Sequence, residues 1–311
     1  MTIVLTNCTN RKKGATTPEL TSDSLDLAPI VDVAVQWVGR LKNAPANNIA
    51  RDTYCGRGFK EAEASATSLN CSLYVVSAGL GIVNSEQNVP VYSLTVSSES
   101  TNSIWSKVSD HKSSNMWWSK MLKGNPFGSS LIDTLELHPD ELILLALSRP
   151  YIELLQDELL NCSHQQQQRL RFFGKKLNSA LPSSLDGNWM PYDDRLESAG
   201  PGFSGTQSDF AQRALRHFVT EILHKHSDDD AYLHRSMVLD SLSPLNKREI
   251  PKRQRLSDKD IGIAIRDNWE NGKGQSSTLL RIIRIDLGIA CEQSRFRNIY
   301  HTIKNTMEIP S

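Results

Sequence analysis

The chain has 311 residues, 39% apolar and 23% charged, with 35 Lys and Arg balanced by 35 Asp and Glu, which excludes a polar disordered chain and allows one large or two modest cores. No run approaches the ~18–20 apolar residues of a membrane helix, and the opening MTIVLTNCTNRKK resembles a strand entering a polar loop rather than a secretion signal, so a cytoplasmic protein is expected. Cys8, Cys55, Cys71, Cys162 and Cys291 are scattered and form no CxxC pattern, and HExxH is absent, so reduced thiols are predicted, with no disulfide framework and no metal.

Residues 2–6, TIVLT, predict a buried strand that delivers the polar loop Asn7 to Gly14 to its carboxyl end. Ile30, Val31, Ala34, Trp37, Val38 and Leu41 recur at helical spacing and predict an amphipathic helix. After an Asn/Ala/Pro linker at 43–50, RDTYCGRGFKEA opens a second helix with Phe59, Ala62, Ala66 and Leu69 on one side, and Gly56 and Gly58 mark a turn. LYVVSAGLGIV (73–83) predicts a strand that stops at Ser77-Ala78-Gly79, with a second glycine at Gly81. ELILLALS (141–148) is the third strand, ending in Ser148-Arg149-Pro150-Tyr151 and followed by a helix through Leu155 and Leu159. RLRFFG (169–174) is a candidate fourth strand, preceded by a polar connector from Gln165 to Gln168.

Such an alternation predicts an α/β fold: an open, mostly parallel sheet flanked by helices. PYDDRLESAGPGFSGTQ (191–207) predicts an ordered or gated loop, and Thr206 with Asp209 starts a helix bearing Phe210, Ala214, Leu215, Phe218 and Ile222. The α/β domain is expected to span 1–225.

Residues 226–256 carry mixed charge, two proline breaks and a basic cluster from Lys247 to Arg255, and predict a linker. Over 257–311 the chain refolds. Ser257 and Asp260 cap a helix through Trp269, Asn271-Gly272 ends it, and Ser277 begins another. Leu287-Gly288 turns into IACEQSRFRNIYHTIK, with Arg295, Arg297 and Lys304 outside and Phe296, Ile299, Tyr300 and Ile303 inside. This helix-turn-helix outline fits either a duplex-facing helix or a helical hairpin used for packing. Residues 231–311 hold 14 Lys and Arg against 9 Asp and Glu, leaving 21 against 26 for the rest. That asymmetry points to a polyanion, although a solvated basic surface gives the same count. Lys252, Arg253, Arg255, Arg295, Arg297 and Lys304 are the DNA-contact candidates.

An open α/β sheet binds its ligand outside the carboxyl ends of its strands. The three strand-end loops pool Asn7, Cys8, Thr9, Asn10 and Arg11; Ser77, Gly79 and Gly81; and Ser148, Arg149 and Tyr151, while Tyr54, Arg57, Asp193 and Asp194 come from intervening loops. Amides, hydroxyls, guanidinium groups and aromatic rings suit reading a base edge, stacking its face and holding phosphate. GxSxG and GxxxxGK[ST] are absent, so hydrolase-elbow and NTPase readings lack their markers. Cys8 is either a nucleophile or inert packing at a strand end, and the basic residues of its loop are either ligand contacts or solvated charge.

LTNCTNRK, YCGRGF before a helix, and LYVVSAGLGIV resemble prokaryotic domains of uracil-DNA-glycosylase-like fold that occur beside tRNA-guanine transglycosylases. A closer similarity is to phage-defence DNA glycosylases that remove glucosylated hydroxymethylcytosine. The resemblance covers about residues 1–225 and implies base flipping, stretching of the C1′–N bond toward an oxocarbenium-like state, and displacement by water. It implies that Asn7 or Asn10 orients the water, that Ser77 and the Gly79 region contact backbone or base, and that Arg149 steadies phosphate or sugar hydroxyls. Uracil-DNA glycosylases often carry a carboxylate in the first loop; here Asn7 and Asn10 stand there, which leaves Asp52, Asp193 or Asp194 to supply one. The expected partner is double-stranded phage DNA with modified cytosines, without cofactor or metal. Two alternatives stay open: a nucleoside or base-exchange transferase, and a non-catalytic, nucleotide-sensing DNA-binding regulator.

Overall fold

The β-branched run after Met1 forms β1 (Thr2–Asn7), the middle strand of a five-stranded sheet in the computed structural model, which describes residues 1–98, 100–226, 229–247 and 252–307. With β2 (Ser72–Ser77), β3 (Gly81–Asn84), β4 (Leu142–Ala146) and β5 (Leu170–Phe173), the strand order is β3-β2-β1-β4-β5. β1 runs parallel to β2 and β4, β4 runs parallel to β5, and only β3 is antiparallel. Asn7 lies opposite Val76, and Thr6 opposite Ala146, so the loops after β1, β2 and β4 leave from one rim. Ile3, Val4 and Leu5 are buried, as expected of a parallel strand covered on both faces.

The predicted first helix is α1 (Ile30–Leu41), and the second is α2 (Arg57–Ser68). α3 (Ser114–Leu122) packs on α1 and on α4 (Arg149–Leu154). α5 (Phe210–Phe218) packs on α2, β4 and β5, while α2 also covers β1. Indole groups from α1 and α3 fix the end of β2: Trp37 Nε1 donates to Gly79 O at 2.7 Å, and Trp117 Nε1 to Ala78 O at 2.8 Å.

Three local expectations change. Residues 73–83 form a hairpin of β2 and β3 rather than one strand, because Ser77 Oγ accepts the amides of Gly79 (3.3 Å) and Leu80 (3.0 Å), and Gly81 takes φ +83°. The Gln-rich connector is a short helix, His164–Gln168, closed by a Ser163–Gln166 capping box. The helix through Leu155 and Leu159 breaks at Leu155 into Arg149–Leu154 and Gln156–Asn161.

The chain divides into compact units at residues 1–248 and 249–311. Most of the stretch expected to be a linker is structured. α6 (Ala231–Leu242) belongs to the first unit, burying His234, Val238 and Leu242. The fully buried Arg171 of β5 donates from Nε to His234 Nδ1 at 3.0 Å, and its other nitrogens donate to Gln168 O, Leu170 O and Asp229 O. Of the predicted basic cluster, residues 248–251 lie outside the described residues.

The second unit has α7 (Asp258–Asp267), α8 (Ser276–Arg281) and α9 (Gln293–Met307) around Ile261, Ile265, Leu279, Ile283, Phe296, Tyr300 and Ile303. A parallel ladder pairs β6 (Gln254–Arg255) with β7 (Ile289–Ala290), so residues 254–256 belong to this unit rather than to a linker. Among the described residues no helix is long and apolar enough to cross a membrane.

Candidate functional site at the carboxyl rim of the sheet

The parallel strands lie in the order β2-β1-β4-β5, so successive connections depart in opposite directions between β1 and β4. Such a reversal leaves a crevice where ligands of open α/β sheets bind. Gln212 of α5 occupies this point: its Nε2 donates to Thr6 Oγ1 (3.0 Å), Asn7 Oδ1 (3.1 Å) and Ala146 O (3.0 Å). A peptide carbonyl can only accept, so Ala146 O fixes which end of the Gln212 amide faces the strands. Asn7 is oriented in turn, its Nδ2 donating to Cys8 O at 3.1 Å. Gln212 Oε1 is buried and has no hydrogen-bond partner among the described residues. Its neighbour in the first turn of α2 is Gly58, where a Cβ would stand 3.2 Å from that oxygen.

Beside this amide pair lies a cluster of buried phenols around a thiol. Cys8 Sγ is 3.0 Å from Tyr151 Oη, Ser77 Oγ is 2.6 Å from Tyr92 Oη, and Tyr54 Oη is 3.5 Å from Tyr92 Oη. Burial, then the proximity of Cys8, pushes Tyr92, Tyr151 and Tyr54 well above the ordinary phenol range, so all three remain neutral donors. Lys12 lies with its Nζ 4.1 Å from the centroid of the Tyr92 ring and 5.8 Å from that of Tyr54, donating to Thr9 O at 3.0 Å. Burial lowers its pKa, opposed by the thiols of Cys8 and Cys55.

Of the residues expected here, Asn7, Cys8, Tyr54, Ser77, Gly79 and Tyr151 converge on this rim, with Thr9 alongside donating to Arg11 O at 2.7 Å. The Gly79 carbonyl is occupied by Trp37. Asn10 and Arg11 are exposed on the loop, Asn10 Nδ2 reaching Ser100 Oγ at 3.4 Å, so Asn7 is the better held of the two asparagines. Ser148 is exposed, and Arg149 turns to Glu153 (2.9 Å) and Ser179 (3.4 Å). Asp52 is exposed on a helical turn, Asp193 accepts from Arg195, and Asp194 pairs with Lys175 just after β5. For Asp193 burial acts upward, but the hydrogen bonds from the Arg195 side chain and amide prevail and hold the carboxyl below its usual range.

Sequence reasoning missed Lys12, Tyr92 and Gln212, and also a partly buried ionic network next to the rim. Arg57 donates to Gly202 O (2.9 Å) and Ser204 O (2.7 Å) and approaches Glu61 and Asp209 at 3.5 and 3.7 Å. The fully buried Arg213 binds Asp209 (2.8 Å) and Glu197 (3.0 Å), and Arg216 pairs with Glu61 at 2.6 Å. These pairs tie the 199–206 loop to α2 and α5. The i, i+4 spacings of Arg57 with Glu61 and of Asp209 with Arg213 were the available signal.

In the second unit, Arg253, Arg255, Arg284 and Arg295 line one cleft with Cys291 and Glu292. Arg295 is tied to Asp258 (2.6 Å) and Leu256 O (2.8 Å), and Arg253 to Arg284 O (2.9 Å). Lys252, Arg255 and Arg297 are exposed, and Lys304 is half-buried. Among the described residues no group of three or more His, Cys, Asp or Glu is placed to hold a metal ion. Comparison with family models, curated proteins and solved structures finds no match for this chain.

Proposed function

We propose that the chain is a DNA glycosylase that excises a modified base, glucosylated hydroxymethylcytosine of phage DNA, leaving an abasic site as a defence in the cytoplasm. The observation that carries this reading is the oriented amide of Asn7, locked by Gln212 at the switch point of the sheet beside buried phenols and Ser77. Asn7 spends one Nδ2 hydrogen on Cys8 O and one Oδ1 lone pair on Gln212, which leaves a donor and an acceptor for a water molecule. Water held there adds its oxygen to C1′ as the C1′–N bond breaks, and the proton it sheds passes to the departing base. Neutral phenols and hydroxyls suit stabilising a base anion, because they donate hydrogen bonds without bringing an opposing negative charge.

The four parallel strands between helices fit a uracil-DNA-glycosylase-like fold, and the three helices of the second unit fit a helix-turn-helix module that grips duplex phosphates. A glycosylase must hold the backbone while it extracts a nucleotide, which gives the Arg253, Arg255, Arg284 and Arg295 cleft a role.

The test is alkali-sensitive strand breakage. Full-length protein is expected to create breaks at glucosylated hydroxymethylcytosines and none in unmodified duplex. Asn7→Ala should lower the rate about 10²-fold, the usual cost of deleting one positioned polar group. Intact modified DNA, or tight binding to one sequence without breakage, overturns the reading.

A further inference from the structure

We propose that Lys12 forms an imine with the C1′ aldehyde of an abasic sugar, giving this site a strand-cleaving lyase activity in addition to base release. The inference rests on the glycosylase reading above for the source of the aldehyde, but its chemistry is separable from base excision.

The loop after β1 carries both Asn7 and Lys12, and its backbone is clamped to residues 53–55. Lys12 bridges Tyr54, Lys13 N donates to Thr53 O at 2.8 Å, and Cys55 N donates to Arg11 O at 3.3 Å. The clamp turns the Lys12 side chain back over the rim, where Nζ meets the Tyr92 and Tyr54 rings and donates to Thr9 O. Tyr92 is the residue bonded to Ser77 at the end of β2, so the amine stands above the same phenol cluster that borders Asn7.

An ordinary structural lysine extends to water or meets a carboxylate. The electrostatic neighbours of Lys12 are two thiols, Cys8 and Cys55, and burial outweighs them to favour the free amine. Desolvation beside aromatic rings is a recognised way of making a lysine nucleophilic at neutral pH.

The proposed chemistry balances without an oxidant or reductant. The ring-opened abasic sugar presents a C1′ aldehyde. Neutral Nζ adds to C1′, its two hydrogens pass to the aldehyde oxygen, which leaves as water, and a C=N bond forms. Loss of a C2′ proton then drives electrons toward C3′, breaking the C3′–O3′ bond and expelling the 3′ phosphate. Water hydrolyses the imine, returning the amine and an unsaturated aldehyde.

Full-length protein mixed with duplex containing a preformed abasic site, then treated with sodium borohydride, should give a covalent protein–DNA species, because hydride reduces the imine to a stable amine. Peptide mapping should place the adduct on Lys12. Lys12→Arg, which keeps the cation but cannot form the imine, should abolish trapping while its circular dichroism and DNA binding match wild type. The trapping rate of wild type should level off at a lower pH than that of an ordinary lysine. A wild type that gives no adduct, an adduct on another lysine, or undiminished trapping by Lys12→Arg overturns the proposal. Base release from modified DNA is measured separately, so a lyase-negative glycosylase and a protein that releases no base are told apart.

Discussion

Replacing Gln212 by Leu tests how the rim is held. The amide has two Nε2 hydrogens shared among Thr6 Oγ1, Asn7 Oδ1 and Ala146 O, all at 3.0–3.1 Å. Losing a donor to a buried acceptor costs about 1–3 kcal/mol, so two hydrogens represent about 2–6 kcal/mol. Leucine also removes the unpartnered Oε1, relieving about 1–3 kcal/mol of desolvation. The expected net loss is about 1–3 kcal/mol, or roughly a fivefold to 150-fold shift in the folding equilibrium. Tryptophan fluorescence in a urea titration reports mainly the first unit, which holds Trp37, Trp105, Trp117, Trp118 and Trp189, whereas Trp269 alone lies in the second. Base release should fall further than stability does, because Asn7 loses the partner that orients it. A Gln212→Leu protein with unchanged urea midpoint and unchanged base release would refute the role assigned to this amide.

Other outcomes follow from the packing. His234 accepts at Nδ1 from Arg171 and approaches His226 O through Nε2 at 2.7 Å, and burial lowers its pKa below 6.5; His217, bonded to Tyr192 Oη, is lowered for the same first cause. Because both folded pKa values are depressed, their stability contribution is present above pH 6.5 and is lost as pH falls through the folded values; thermal melts should show that loss, flattened in His234→Gln. Gly128→Ala would put a Cβ 1.9 Å from Leu80 O and should cost more than about 2 kcal/mol in urea melts, whereas Gly187→Ala, with nothing within 4 Å, should stay within about 0.5 kcal/mol. Lys252→Gln with Arg255→Gln removes two exposed cations and should lower the slope of log affinity against log salt by about 2 in duplex binding; an unchanged slope places the phosphate contacts elsewhere.

The four parallel strands of the central sheet were legible because each is a short apolar run ending in polar or glycine-bearing residues, whereas β3 was read as one run with β2; α1 was legible from Ile30, Ala34, Trp37, Val38 and Leu41, although Val31 is exposed and Val33 is buried in its place. α6 was obscured. Its buried face is only His234, Val238 and Leu242, whereas Tyr232, Leu233 and Leu239 are exposed at 76%, 44% and 42%, so no apolar stripe marks it. Parallel topology carried Asn7, Ser77 and Ser148 to one rim, but it does not orient side chains, and Ser148 and Arg149 turn outward. Gln212 meets Thr6 across 206 positions of sequence, and Lys12 owes its environment to Tyr92 and Tyr54. Burial created by such distant partners leaves no periodic trace in the chain.

The most direct measurement is mass spectrometry of the small molecules released when the full-length protein meets phage DNA containing glucosylated hydroxymethylcytosine. Free glucosylated base should accumulate with wild type and nearly vanish with Asn7→Ala. Modified DNA that yields no free base, or an Asn7→Ala protein that releases it at the wild-type rate, contradicts an excision centre at this rim.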